Sequence, residues 1–232
     1  MTFKLILTDS IYFFKRNIRQ IATLCLPFLL AGALINHFFF SARGGEPPDS
    51  NAVYLFSMAV NLALYPIYTA ALIHLMARQA RNELPANTEL VAAALQQYAP
   101  FLLLSLMAMA LVWMGFLLFI IPGIWVAVRL SFAEFFLVLE GTDPRTAMVK
   151  SFHATRRYFT PILAALALFA LPVFILGLFI SNAMAAIEAN AVVEIAADTT
   201  ISFLTLFMDV VLFRIFMEAQ QSSGPDTIRP QM

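Results

Sequence analysis

From Ala99 to Val128 the chain runs for thirty residues without a charged side chain. A helix needs about 20 apolar residues to cross a hydrocarbon core about 30 Å thick. The stretch is therefore too long for one span and too apolar for a water-facing surface. Pro122-Gly123 interrupts it, and a proline-glycine pair marks a turn. The sequence thus predicts a hairpin of two spans, Phe101–Ile121 and Ile124–Leu139, turning at Pro122 and Gly123. The second carries Arg129 and Glu134, so a hydropathy scan could pass over it.

Four further segments have the length and apolarity of spans: Ile21–Ala42, Ala52–Ala77, Phe159–Ser181 and Thr199–Met217. The whole chain agrees, with 61% hydrophobic and 12% charged residues against about 45–50% and 25% in soluble domains. The first segment is not expected to be cleaved. It is longer than a signal-peptide core, and Phe40-Ser41-Ala42 lacks the small-residue pattern of a cleavage site.

Basic residues orient the six spans. Lys4, Lys15, Arg16, Arg19, Arg78, Arg81, Arg145, Lys150, Arg156, Arg157, Arg214 and Arg229 all fall on one side, and Arg43 alone falls on the other. Cytoplasmic loops carry the excess of Lys and Arg, so both termini are expected in the cytoplasm. Without the fourth span, the basic segment Arg145–Arg157 would land on the wrong side. The expected architecture is an all-α bundle of six transmembrane helices in one membrane domain, 1–218. A flexible cytoplasmic tail, 219–232, follows.

Three amphipathic helices are expected at the cytoplasmic face. In the first, Phe3, Leu7, Ile11, Phe14 and Ile18 form an apolar stripe. Lys4, Lys15, Arg16 and Arg19 lie on another side, as in a helix lying on a leaflet. Such cations attract anionic phospholipid or merely anchor the first span. The second helix is Thr88–Tyr98, with Asn87 as cap and Val91, Leu95 and Tyr98 as stripe. The third is Arg145–Arg157, with Asp143 as cap, Pro144 at the first helical position and Met148, Phe152 and Thr155 on one face. Each leads into a span with an early proline, at Pro27, Pro100 and Pro161. The chain thus reads as a threefold internal repeat of cytoplasmic helix plus membrane hairpin, its units parallel about the membrane normal.

The residues Ile121-Pro122-Gly123-Ile124, Arg129, Leu139-Glu140-Gly141, Ala147 and Ser151 resemble the YciC-like family of bacterial inner-membrane proteins. They are also similar to the membrane domain of some glycerophosphodiester phosphodiesterases. The motif covers about Phe119–Pro161. Arg156-Arg157-Tyr158 stands where the pattern has a glycine. The resemblance implies an inner-membrane location and an envelope or lipid-related role, with no established chemistry.

Nothing in the sequence points to catalysis. His37, His74 and His153 fall at three separate places and are not expected to converge on a metal. No catalytic, cofactor-binding or phosphate-binding motif is present, so no catalytic residue, cofactor or metal is expected. Zero net charge and the absence of a nucleic-acid motif speak against nucleic acid. The expected partners are membrane lipids. Cys25 has no second cysteine to pair with. Asn36 and Asn61 are expected to hydrogen-bond between helices. Arg129, Glu134 and Asp209 are charges inside apolar segments, where an ionisable residue marks function or an internal ion pair. Arg129 is expected to pair with Asp209 or, at less favourable spacing, with Glu134. Two readings of the whole follow. One is a non-catalytic protein of envelope maintenance that contacts phospholipid. The other is a small transporter or channel-like subunit with the three charges lining a polar path.

Overall fold

A computed structural model describes residues 3–41, 51–186 and 190–223. Helix α1 covers Phe3–Ser41, α2 Asn51–Ala80, α3 Asn87–Gln96 and α4 Tyr98–Leu118. Then come α5 (Ile120–Leu130), α6 (Ala133–Glu140) and α7 (Pro144–Ala165). A π-helical turn at Leu166–Ala170 leads to α8 (Leu171–Ala186), and α9 covers Ala191–Ser223. Among the described residues, six stretches are long and apolar enough to cross a membrane: α1, α2, α4, α5 with α6, α7 through α8, and α9. The chain is therefore an all-α, multi-pass membrane protein.

Prolines set most of the joints. Gln97, Phe119 and Tyr158 each break a helix, and each stands three residues before a proline: Pro100, Pro122 and Pro161. A proline ring clashes with the carbonyl four residues back, so the preceding helix cannot continue through it. In the first turn of a new helix the missing N–H costs nothing, because that group has no intrahelical partner there. The hairpin turn therefore lies at Phe119, whose φ and ψ are −166° and 162°. It does not lie at Pro122 and Gly123, which belong to the first turn of α5. The actual spans are correspondingly Tyr98–Leu118 and Ile120–Glu140. Gly123 is needed for a different reason. A Cβ there would sit 2.5 Å from the Phe116 ring, and one on Gly115 would sit 2.8 Å from the Gly123 Cα. The two glycines let the hairpin arms touch. Pro172 is accommodated differently, by the π turn just before it, a bulge that relieves the same ring clash.

Other boundaries shift as well. Helix α1 is uninterrupted through Pro27, so the N-terminal amphipathic segment is the start of the first span's own helix. Its inward face is Ile6, Ser10 and Ile21, all buried, while Ile11 and Ile18 of the expected stripe are exposed. Phe14 packs edge-on to Phe207, ring centroids 5.4 Å apart, and Arg214 stacks over Phe13. Burial against α9 outweighs the stripe's own periodicity. In α3 the buried residues are Leu90 and Ala94, and Leu95 is exposed. Asn87 does not cap α3. Its amide donates to Thr23 Oγ1 at 3.0 Å, fastening the loop to α1. Helix α9 begins eight residues before the expected sixth span and takes in Glu194, which pairs with His37 at 3.4 Å. At its other end α9 runs past 218 to Ser223, with Ala219 buried and Gln220 bonded to Glu140. Residues 224–232 of the expected tail, and Arg43, lie outside the described residues.

The third amphipathic helix starts where expected. Pro144 opens α7, and the Asp143 carboxylate accepts the Thr146 backbone N–H at 3.0 Å. Hydrogen bonding from Thr146, its side chain first and then its backbone N–H, favours the charged form and holds the Asp143 carboxyl below its ordinary range.

The core is concentrated at the end of the bundle that carries α3. Leu72, Ile73, Leu75 and Met76 of α2 and Leu90 of α3 are fully buried there, as are Phe101 of α4 and Phe132 beside α6. Phe216 of α9 meets the rings of Phe132, Phe135 and Phe136. Toward the hairpin end, Leu117, Phe119, Ile121, Phe174 and Phe179 are exposed. In a bilayer these side chains meet lipid, which solvates them as well as a core would.

Candidate functional site

Two polar centres lie inside the bundle, and they treat their charges differently. The first joins α5, α6 and α7. Ser131 and Phe132 interrupt the fourth span, which frees backbone groups. Ser151 of α7 is fully buried and satisfies two of them. Its hydroxyl donates to the Arg129 carbonyl at 2.7 Å and accepts the Phe132 N–H at 3.1 Å. Thr155, one turn on, donates to the Ser151 carbonyl at 2.7 Å. The Ala147 and Ser151 pair is thus a dock for a broken helix: a small buried residue for close approach, then a hydroxyl for the break.

Arg129 belongs to this centre. Its Nη1 donates to the Phe152 carbonyl at 3.0 Å, and its guanidinium lies over the rings of Phe152 (4.7 Å) and Trp125 (5.2 Å). Among the described residues no ion pair joins it to Asp209 or Glu134. The expected pairing is not what the fold makes. The side chain turns toward α7, where a carbonyl and two aromatic faces accept a cation.

The second centre lies between α2, α6 and α9. Tyr65 and Tyr68 stand one turn apart on α2 with rings edge to face, 5.7 Å between centroids. The Tyr65 hydroxyl donates to Glu134 Oε1 at 2.7 Å. Asp209 of α9 faces the same space. Glu134 and Asp209 both line one cavity of about 550 Å³, reached by Ser105, Met109 and Leu130. A second cavity of about 550 Å³ lies between α2, α8 and α9, lined by Phe169, Gly177, Ile201 and Thr205. Tyr65, Tyr68, Met208 and Asp209 form the wall common to both. Among the described residues, neither lining contains Lys, Arg or His.

Tyr68 also borders a smaller cavity of about 230 Å³ that holds Asn36, Asn61, Asp198 and Ser202. The two asparagines therefore share a cavity, but they do not bond to each other. The Asn61 amide donates to the Ser57 carbonyl of its own helix at 2.8 Å. Asn36 Oδ1 is buried without a hydrogen bond. Among the described residues no three His, Cys, Asp or Glu side chains gather to hold a metal.

Of the expected site residues, then, Glu134 and Asp209 come together and Arg129 does not join them. Lys4, Lys15, Arg16 and Arg19 are exposed on the face of α1 away from its buried stripe. Sequence reasoning missed Tyr65 and Tyr68. The available signal was two phenols at helical spacing in an otherwise apolar span, where a buried hydroxyl needs a partner. Comparison with known protein families, characterised proteins and solved structures returns no match.

Proposed function

We propose that this multi-pass membrane protein is a small, non-catalytic carrier that binds an amphipathic molecule between its spans and moves it across the bilayer. The observation that carries this reading is the Tyr65, Tyr68 and Asp209 wall, which puts polar groups onto two largely apolar cavities. Ligand sites are concave, mostly apolar and supplied with a few convergent polar groups, at volumes of about 300–1,000 Å³. An acid kept inside a membrane without a paired cation is costly, and such residues mark substrate or ion pathways. The YciC-like resemblance and the one-sided distribution of basic residues support a bacterial inner membrane with both termini in the cytoplasm. The test is transbilayer movement of a panel of fluorescent amphipaths in liposomes containing the purified protein. Faster movement of at least one class is expected, and no acceleration across the panel would overturn the reading.

A second reading rests on a separate observation, the exposed Lys4, Lys15, Arg16 and Arg19. Basic residues near a membrane surface gain about 1 kcal/mol each from anionic lipid. Contact with anionic phospholipid, in a role of envelope maintenance, would use this face and not the cavities. Selective co-purification of anionic lipid, lost when the four are changed to Gln, would support it.

A further inference from the structure

The cavity wall also bears on the kind of molecule accepted, and this step rests on the carrier reading above. We infer that the cavity between α2, α8 and α9 binds a lipophilic organic cation, its charge facing Asp209 and its apolar body lying against Phe169, Phe174 and Ile201. Three observations converge on that class. The first is charge. Asp209 lines both cavities and Glu134 one of them, while no basic side chain among the described residues lines either. Two arginines of the bundle have other partners. Arg129 is held by Phe152, and Arg214 lies over the Phe13 ring.

The second is the nature of the walls. Tyr65, Tyr68 and Phe169 put three aromatic rings on the lining, and aromatic rings attract substituted ammonium and similar cations. A bare metal ion is a poor fit, since hard cations take six or more oxygen ligands, and this cavity offers one carboxylate, two phenols and the Thr205 hydroxyl among apolar side chains. An anionic amphipath would meet like charge. The third is access. Helix α8 packs chiefly on α9 and leaves Phe174, Ile175 and Phe179 exposed. The cavity beside α8 is therefore reached from the membrane, where a lipophilic cation is already concentrated.

Gly177 offers a way to close this cavity without touching an acid. A Cβ there would meet only Ile201, at 3.8 Å, so a larger side chain fits and extends into the space. The experiment measures binding of radiolabelled tetraphenylphosphonium and of tetraphenylborate to the full chain in nanodiscs of zwitterionic lipid. The two probes match in shape and differ in sign. Saturable phosphonium binding is expected, with no saturable borate binding. Asp209→Asn should weaken phosphonium at least tenfold, and Gly177→Leu should do so with both acids intact. Equal binding of the borate, or undiminished phosphonium binding in Gly177→Leu, would overturn the inference. If Asp209→Asn fails to fold, Gly177→Leu and the borate still decide. The outcomes also separate the two levels of the argument. Binding of the borate or of neutral triphenylphosphine oxide that Gly177→Leu abolishes would refute the cation and leave the carrier. If none of the three probes binds, the cation and the cavity as a carrier site fall together.

Discussion

The Ser151 dock and the Asp209 wall are built from the same raw material, polar residues inside apolar helices, and they end in opposite states. At the dock, the Ser151 hydroxyl answers the Arg129 carbonyl and the Phe132 N–H freed where α5 meets α6, and the Arg129 guanidinium finds a carbonyl and two rings, although its Nε is buried without a hydrogen bond. At the wall, Glu134 has one phenol, and Asp209 opens onto two cavities. Burial of a polar group is cheap only when its partners are present. The first centre therefore serves the fold. The second sets an acid on the wall of two cavities, and that is the feature the carrier reading uses.

Mutation should separate the two centres sharply. The largest effect is expected from Ser151→Val, which removes both hydroxyl bonds at a fully buried position and adds volume. A loss of about 2–4 kcal/mol should appear in mixed-micelle unfolding. Asp209→Leu, by contrast, should leave stability unchanged or raise it, because it removes an ionisable group from lipid depth. If Asp209→Leu were the more damaging of the two, the assignment of roles would be reversed.

Next in size is Gly115→Ala. Its Cβ would meet the Gly123 backbone at 2.8 Å, an obstacle no side-chain rotation can move. A cost of about 1–3 kcal/mol is expected, and wild-type stability would mean that the hairpin arms are not in contact. Arg129→Leu should cost about 1–2 kcal/mol through the lost carbonyl bond and ring contacts. Since Arg129 and Asp209 sit in different centres, a double-mutant cycle with Asp209→Asn should give less than about 0.5 kcal/mol of coupling. A larger coupling would restore the ion pair that the sequence suggested.

The smallest effect concerns Asp143. Its bond to Thr146 lowers the carboxyl from an ordinary value of 3.8. The contribution to the start of α7 is thus complete above that value and fades as pH falls through the lowered one. The protection factor of the Thr146 amide, with the intrinsic slowing of exchange in acid divided out, should fall as pH is lowered in the wild type. In Asp143→Ala the amide should already lack this protection at neutral pH. Identical protection in the two proteins would remove Asp143 as a cap.

What was legible in the sequence, and what was not, divides by the range of the interactions involved. Four of the six expected spans are charge-free stretches long enough to cross lipid and follow from composition alone, whereas the fourth, with Arg129 and Glu134, needed the side on which Arg145–Arg157 falls. The start of α7 was equally local, because Asp143 and Pro144 act within one turn. The joints were half legible. Prolines announced them, but the breaks fall three residues upstream at Gln97, Phe119 and Tyr158, where the ring's clash with the preceding turn is relieved. The same proline signal was misleading at Pro27, which α1 runs straight through.

Faces and partners were decided by the tertiary structure. The buried side of α1 is the one α9 covers, and the buried side of α3 is the one facing the core, whichever stripe their own periodicity suggested. Arg129, Glu134 and Asp209 could each be recognised as charges out of place from the chain alone. Which of them meet depends on how α6, α7 and α9 pack, and long-range packing is not written in the spacing of any single helix.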